Sequence, residues 1–270
     1  MRGNGFALHK VEGVQYFSCA ALENIPNVRH GFSTRRGGVS LPPEGALNLG
    51  FVPWDEHTHV DENRRRFLTV LGLCRERLII VAQKHSADFH IIKGALDQWD
   101  PHTPGDAMAT IESGAALAVG VADCFPVLIA EPRSGAIAAV HAGWRGTLGR
   151  ILRRTLEGMK RDLNADLSCA IVAVGPGIRR CCLEVGPEVA TAFAAEFPGA
   201  PLCASHPEHA GKFLLDLPQA LNIQLTETGV TPANVFDCAQ CTRCHPEEFF
   251  SYRAEGARTG RMMGIICKIE

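Results

Sequence analysis

Two histidines and one cysteine stand where short apolar segments of the sequence end. His85, Cys124 and His141 each follow such a segment, and strand ends commonly carry functional side chains. Two imidazoles and one thiolate suit zinc, and a set of three leaves the fourth tetrahedral position open, as catalytic zinc sites require. Because the three residues are far apart in the sequence, each also fits an ordinary core position. Spacing alone leaves both interpretations open.

The elements that must position these residues follow from the apolar pattern. Short apolar runs bounded by Gly, Pro or Asp predict strands at residues 78–82, 115–121, 127–130, 136–140, 170–174 and 262–267. Amphipathic spacing predicts helices at 60–71, 147–163, 187–197 and 217–228. Strands and helices alternate only in the middle of the chain, which predicts an α/β domain with mixed, layered sheets. No strand is followed by a GxGxxG or P-loop sequence, which argues against a dinucleotide or ATP site.

Composition narrows the class of protein. The 270 residues have a formal net charge of −2 and contain 46% hydrophobic residues, so we expect one domain over residues 1–270 and a small-molecule partner rather than nucleic acid. The N-terminal residues lack the apolar core of a signal peptide, and no segment is apolar enough for a membrane span. We therefore expect a cytoplasmic protein whose eleven cysteines are reduced.

Seven ordered segments resemble one protein family. They are HGFSTRRGGVS (30–40), NLG (48–50), QKHS (83–86), ADC (122–124), VHAGWRG (140–146), GPGI (175–178) and SYR…TGR (251–261). Together they resemble the YfiH family, also called laccase-domain or polyphenol oxidoreductase proteins. The resemblance implies a single α/β domain with a fold similar to the catalytic domain of cytotoxic necrotizing factor toxins. It also implies zinc bound at the positions of His85, Cys124 and His141.

The resemblance further implies purine chemistry. Members of the family are described as purine nucleoside phosphorylases that use adenosine, inosine or methylthioadenosine and also deaminate adenosine. Hydrolytic deamination needs an activated water, which a metal with an open position can provide. Cys124 and His141 would then belong to the catalytic centre, and Asp123 would either shuttle the proton or orient a metal ligand. The toxin-like alternative uses Cys124 and His141 as a nucleophile and base without metal.

Phosphorolysis also requires an anion site. We expect phosphate and the nucleoside to be bound by cationic and hydroxyl side chains, namely Ser33, Arg35, Arg36, Arg145 and Arg261. The glycines at 37 and 38 would allow close backbone approach to phosphate. The alternative is that they form an ordinary hairpin turn with solvated arginines. Trp144 would either stack on a purine or act as a packing anchor.

Two other functions remain open at this stage. One is a copper-dependent polyphenol oxidase, because copper can occupy a site that binds zinc. Against it, the histidines are scattered, and the close pairs His57/His59 and His206/His209 fall in polar segments. The other is a hydrolase that edits peptidoglycan precursors, an activity linked to some family members. The sequence does not distinguish these functions or define the oligomeric state.

A second set of metal-ligating residue types lies near the C-terminus. Cys238, Cys241, Cys244 and His245 contain both CxxC spacings and a CxxCH sequence, which is typical of c-type haem attachment. Haem is attached in exporting compartments, so we instead consider a second zinc site closed by these four residues. The adjacent Cys181 and Cys182 are not expected to bridge each other.

Overall fold

Two six-stranded sheets lie at the centre of the computed structural model, which describes residues 5–41, 44–73, 78–94 and 96–269. The first sheet has the order β1 (Phe6–Val11), β2 (Val14–Cys19), β3 (Val28–Ser33), β16 (Met262–Lys268), β8 (Ala116–Val121), β5 (Leu78–Ile79). The second has the order β15 (Val235–Asp237), β11 (Ile171–Val174), β9 (Phe125–Glu131), β10 (Ala136–Ala142), β7 (Ala107–Thr110), β6 (Phe89–Ile92). A small third sheet contains β12 (Glu184–Val185), β14 (Phe213–Leu215) and β13 (Cys203–Ser205), and β4 (Arg36–Ser40) forms isolated bridges to Ala46.

Helices cover the two outer faces of this sandwich. They are α1 (Ala20–Glu23), α2 (His57–Val70), α3 (Trp144–Leu148), α4 (Ile151–Leu163), α5 (Pro187–Glu196), α6 (Leu217–Glu227) and α7 (Tyr252–Glu255). Helix α2 packs on the first sheet, whereas α4, α5 and α6 pack on the second. None of the helices in the described residues is long and apolar enough to cross a membrane. The result is a four-layered α/β arrangement.

Successive side chains of the central strands point to opposite faces of their sheet, and this arrangement builds three apolar layers. On β10, Ala138 and Val140 face the helices, while Ile137 and Ala139 face the first sheet. On β8, Leu117 and its odd-numbered neighbours face the second sheet, and the even-numbered alanines face α2. Both faces of these strands are buried, which explains why their sequences are continuous apolar runs rather than alternating ones.

Most of the secondary structure agrees with the sequence predictions. All six predicted strands are present, although the 78–82 segment forms a ladder only over Leu78–Ile79. Neighbouring strands are antiparallel except for the parallel pairs β5–β8, β6–β7 and β11–β15, so the prediction of mixed sheets is confirmed. Similarity to the toxin catalytic domain stays a prediction.

The single helix predicted at 147–163 is wrong. The segment breaks between α3 and α4, where Arg150 has a φ of +63° and its backbone N–H bonds to the carbonyl of Thr147. A side chain at Gly149 would meet the Cβ of Ala87 at 2.8 Å, so the break allows a close approach between this turn and a neighbouring loop. The guanidinium of Arg150 forms ion pairs with Glu196 and Glu227.

Candidate metal centre

His85, Cys124 and His141 meet at one end of the sandwich. Their ligand atoms all lie within 4.8 Å of one another, and burial increases from exposed His85 through half-buried Cys124 to buried His141. His141 is the last residue but one of β10 and lies on the same face as Ile137 and Ala139, so it points between the two sheets. This graded burial leaves the centre enclosed on one side and accessible on the other, as an open metal site needs.

A carboxylate fixes the orientation of His141. Asp106, fully buried just before β7, accepts a hydrogen bond from Nδ1 of His141 at 2.8 Å, and its backbone carbonyl accepts the His141 N–H at 2.7 Å. Because Asp106 holds the proton on Nδ1, Nε2 is the nitrogen left to bind a metal, on the side of Cys124. Histidines that bind metals are held in this way by a carboxylate beyond the metal shell.

The same carboxylate shapes the loop that carries His85. Asp106 accepts hydrogen bonds from the backbone N–H groups of Lys84, His85 and Ser86 at 3.1, 3.0 and 2.7 Å, and from the Ser86 hydroxyl at 2.8 Å. His85 has a φ of +57°, a left-handed conformation that is uncommon outside glycine. These bonds hold the loop in that conformation. Burial opposes ionisation of Asp106, but the hydrogen bonds with His141 and Ser86 lower its pKa.

Cys124 packs against Gly143. Asp123, which directly precedes Cys124, has a left-handed backbone conformation. A Cβ at Gly143 would lie 2.8 Å from the Cys124 Sγ and 3.4 Å from His85 Cδ2. Burial opposes ionisation of Cys124, but His141 and His85 overcome this and lower its pKa to about 6. Burial likewise disfavours the cationic form of His141, whereas Cys124 and Asp106 raise the pKa of His141 to about 9. Without metal, a thiolate and an imidazolium therefore coexist at neutral pH.

The structure places Asp123 differently from Asp106. Its two carboxylate oxygens accept a hydrogen bond from the Thr242 hydroxyl and one from the Arg253 backbone N–H, each at 2.6 Å. Its φ of +88° turns the chain sharply before Cys124. Asp123 thus anchors the Cys124 loop to the C-terminal segments, and the carboxylate that orients a candidate ligand is Asp106.

The metal centre opens into a pocket of about 760 Å³. Arg145, Arg253 and Arg261 line this pocket, and none of the three forms an ion pair with a carboxylate in the described part of the chain. Arg145 lies over the ring of Trp144 at 4.3 Å, and burial lowers the pKa of Arg261. Apolar side chains, including Tyr252, cover much of the remaining wall. The pocket therefore combines unpaired cations with an apolar surface.

Three residues predicted to bind phosphate lie elsewhere. Ser33 is buried, and its hydroxyl accepts the Met263 N–H at 2.9 Å. Arg35 bonds to Glu255 at 2.7 Å, and Arg35 and Arg36 line a separate pocket of about 430 Å³. A Cβ at Gly37 would lie 2.2 Å from the carbonyl oxygen of Gly13, so this glycine allows close packing of backbone on backbone. Of the predicted anion-binding residues, only Arg145 and Arg261 line the same pocket as the metal centre.

The C-terminal cysteines also group differently from the prediction. Cys181, Cys182, Cys241 and Cys244 bring their sulfur atoms within 4.8 Å of one another. Cys238 is buried in the core between the sheets, and His245 contacts Glu247, so neither belongs to this group. The predicted set of Cys238, Cys241, Cys244 and His245 is therefore wrong in two of its four members. Sequence spacing could not reveal the partners on the 175–183 loop.

A third group joins Glu184 to two histidines. Ligand atoms of Glu184, His206 and His209 lie within 4.8 Å of one another, and the two rings stack with centroids 4.3 Å apart. Hydrogen bonding to His209 is the main cause that lowers the pKa of Glu184. The group is partly exposed, and its carboxylate already bonds to His209.

The donor set at the first site fits a zinc or copper ion, because it combines one thiolate with two imidazoles, one of them oriented by a carboxylate.

The chain is similar to known proteins over most of its length. A family model described as multi-copper polyphenol oxidoreductase laccase matches residues 29–269. A purine nucleoside phosphorylase of Deinococcus radiodurans is 40% identical over 248 residues, which cover 91% of this chain and 92% of that protein.

A second relative and a solved structure also match most of the chain. Adenosine deaminase RL5, from an unknown prokaryotic organism, is 34% identical over 238 residues, or 85% of this chain and 90% of the relative. The crystal structure of YlmD from Geobacillus stearothermophilus has a TM-score of 0.87 and 31% identity, and the match covers 97% of this chain and 98% of that one. The chain belongs to the multi-copper polyphenol oxidoreductase laccase family, also called the YfiH family.

Proposed function

We propose that this protein is a zinc-dependent purine nucleoside enzyme that cleaves adenosine, inosine and methylthioadenosine with phosphate and also deaminates adenosine. The supporting observation is that the three candidate ligands open into one pocket with Arg145, Arg253 and Arg261, which form no ion pair with a carboxylate among the described residues. Relatives named purine nucleoside phosphorylase and adenosine deaminase support an enzyme of this class.

His85, Cys124 and His141 would hold the zinc ion. Asp106 keeps the Nδ1 proton of His141 in place, so that Nε2 faces the metal as a neutral donor. Zinc held there would act as a Lewis acid toward an oxygen atom of the substrate or of water. Three protein ligands leave room for that oxygen, because structural zinc sites are usually closed by four.

Arg145 and Arg261, joined by Arg253, would bind the phosphate. Unpaired guanidinium groups at the wall of a partly apolar pocket are suited to a dianion, since they donate several charge-assisted hydrogen bonds. The backbone of Arg261 is fixed by the Asn48 side chain, which accepts its N–H at 2.8 Å. Its side chain covers Gly50, where a Cβ would approach Arg261 Cγ to 2.5 Å. This packing holds the cation at the pocket without a neutralising partner.

Trp144 and Tyr252 would contact the purine. Both line the pocket, and the Tyr252 side chain is 57% exposed, which leaves its ring available to a ligand. An aromatic ring offers a large surface for stacking on a flat base without requiring one pattern of hydrogen bonds. This arrangement would accept adenine and hypoxanthine alike.

Product analysis tests the proposal. Zinc-loaded protein is incubated with adenosine, with and without inorganic phosphate, and the products are separated by chromatography. Adenine that appears only with phosphate is expected for phosphorolysis, and inosine formed without phosphate is expected for deamination. If neither forms, the proposal is wrong. Activity that survives complete removal of metal would favour the alternative of a Cys124–His141 nucleophile and base.

A copper-dependent polyphenol oxidase is the second candidate. The description of the family model and the additional Glu184, His206 and His209 group favour it, because multicopper oxidation needs several metal sites. Loading the protein with copper and measuring oxidation of a phenol tests this alternative. Oxidation that depends on His206 and exceeds nucleoside turnover would support it over the proposed purine chemistry. The precursor-editing alternative stays a prediction.

A further inference from the structure

Four clustered cysteines are candidate ligands for a second metal ion. They lie outside the pocket at the first metal centre, which we call the nucleoside pocket. Sγ of Cys244 is 3.4 Å from Sγ of Cys182 and 3.6 Å from Sγ of Cys181, and Cys241 completes a group in which every separation is below 4.8 Å. A tetrahedral ion with zinc–sulfur bonds of 2.3 Å requires sulfur atoms about 3.8 Å apart. A disulfide would require about 2.05 Å. The spacing therefore fits four sulfurs around one ion.

The backbone already holds the two cysteine loops together. Each pair of cysteines lies on a turn, and the two turns meet where the Gly177 N–H bonds to the Gln240 carbonyl and the Thr242 N–H bonds to the Gly177 carbonyl, at 3.3 and 3.2 Å. These contacts join residues from distant parts of the sequence. A metal would consequently bind a largely formed site rather than gather mobile loops.

Accessibility and charge also suit a metal. Cys181 and Cys244 are exposed, Cys182 is half-buried and Cys241 is buried, so an ion can enter from solvent. The Arg243 guanidinium approaches Sγ of Cys182 at 3.8 Å. Four thiolates around a divalent ion have a net charge of −2, and a neighbouring cation offsets part of that charge.

We propose that Cys181, Cys182, Cys241 and Cys244 bind a structural zinc ion. Tetrahedral sets of four thiolates select zinc or iron–sulfur centres. All the sulfurs here lie close enough for a single ion, whereas a cluster would spread them over several irons. Four protein ligands leave no position for a substrate, so this site is closed and separate from the one at His85.

The ion would stabilise one wall of the nucleoside pocket. Cys182 directly precedes Leu183, which lines that pocket, and the carbonyl of Cys182 accepts a hydrogen bond from Arg253 at 3.4 Å. Thr242, next to Cys241, binds Asp123. A metal ion bound by the four cysteines would thus connect two parts of the pocket. One is the loop of Cys182, which contacts Arg253, and the other is the turn at Asp123 before Cys124.

Metal stoichiometry on the full-length protein is the direct test. The reduced, metal-free protein is reloaded with zinc or with cobalt(II), freed of excess metal, and analysed by mass spectrometry for metals and by visible absorption. We expect two zinc ions per chain and strong thiolate-to-cobalt absorption. A single metal ion per chain that shows the weak absorption of one cobalt–thiolate bond, iron as the only metal retained, or a disulfide among these cysteines after loading would overturn the proposal.

Matched variants assign the two ions. The double variant Cys181→Ser, Cys244→Ser should bind one zinc and lose about four-fifths of the thiolate-to-cobalt absorption, because four of the five cobalt–sulfur bonds belong to this site. Cys203→Ser, which changes a half-buried cysteine outside both groups, should retain two zinc ions. His85→Ala should lose the other ion and keep the four-thiolate spectrum. If the double variant does not fold, the wild-type stoichiometry and the His85→Ala spectrum decide the question. Two zinc ions in a folded double variant would refute it.

Discussion

Asp106→Asn is the substitution that best tests how the metal centre is organised. One oxygen of Asp106 accepts hydrogen bonds from the His85 backbone and His141 Nδ1, and the other accepts three from the backbone of Lys84 and from the backbone and hydroxyl of Ser86. An asparagine side chain has one carbonyl oxygen and one NH₂ group. It therefore cannot accept all five.

The amide should keep its oxygen on the side with three donors. The NH₂ group then faces the His85 N–H and Nδ1 of His141, so one part-buried and one buried donor lose their acceptor. At about 1–3 kcal/mol each, this costs about 2–6 kcal/mol of folding free energy. His141 can recover one bond only by moving its proton to Nε2, the nitrogen that must bind zinc. We therefore expect zinc affinity to fall about 100-fold, at the upper end of the effects of such orienting residues.

Competition with a chromophoric chelator at pH 7.5 measures this affinity, and circular dichroism together with urea unfolding measures stability. Asp88→Asn is the matched control, because Asp88 lies beside the same loop, is exposed and contributes only its backbone groups to the described hydrogen bonds. A folded Asp106→Asn protein that binds zinc within about threefold of the wild type would refute the role given to Asp106.

Three further predictions concern the same pocket. Gly143→Ala should weaken zinc binding about 10- to 100-fold, because its Cβ would lie 2.8 Å from Sγ of Cys124; chelator competition measures the loss. Arg261→Gln should lower kcat/KM for phosphorolysis about 10- to 150-fold through the KM for phosphate, since about 1.5–3 kcal/mol of charge-assisted hydrogen bonding is lost, with little change in deamination. In the metal-free protein, alkylation of Cys124 should rise with a midpoint near pH 6, because the thiolate forms above its lowered pKa of about 6, and zinc should suppress it; mass mapping follows the reaction.

Each of these has a control within the chain. Gly120 lines the same pocket, but a Cβ there would meet only ordinary contacts at 3.5 Å and beyond. Gly120→Ala, the control for Gly143→Ala, should therefore bind zinc normally. Equal losses of phosphorolysis and deamination in Arg261→Gln would contradict a specific role in phosphate binding. Burial raises the pKa of Cys203, so Cys203 should react only at higher pH. An alkylation midpoint for Cys124 at the ordinary thiol value near 8.5 would contradict the thiolate–imidazolium pair.

Strand positions were predictable because both faces of the central strands are buried. Runs such as those of β8 and β10 have no polar interruptions, and few other structures tolerate such segments. The break at Gly149 and Arg150 was not predictable, because the amphipathic spacing of the apolar residues continues through it. It depends on contacts with the 87 region and with Glu196, which no local pattern records. The single domain and the cytoplasmic location stay predictions.

The candidate ligands were predictable, but the groups that orient them were not. His85, Cys124 and His141 combine suitable chemistry with strand-end positions. Asp106 precedes a strand of only four residues, and its sequence neighbourhood gives no sign that five donors converge on it. A signal existed in its position directly before the apolar residues Ala107, Met108 and Ala109, where a buried carboxylate requires several hydrogen-bond partners. The adjacent Asp123 was more conspicuous, yet its carboxylate faces other residues.

Asp123 links the two proposed metal sites through covalent geometry as well as hydrogen bonds. It directly precedes Cys124 in one site, and its carboxylate binds Thr242, which directly follows Cys241 in the other. Removing this carboxylate would free the Thr242 hydroxyl and the Arg253 N–H while leaving every proposed ligand intact. Its replacement by alanine should therefore change both metal affinities together. Substitution of the ligands of one site should mainly affect the ion at that site. The Asp123–Thr242 connection stays intact in such a variant, so the other site keeps its geometry.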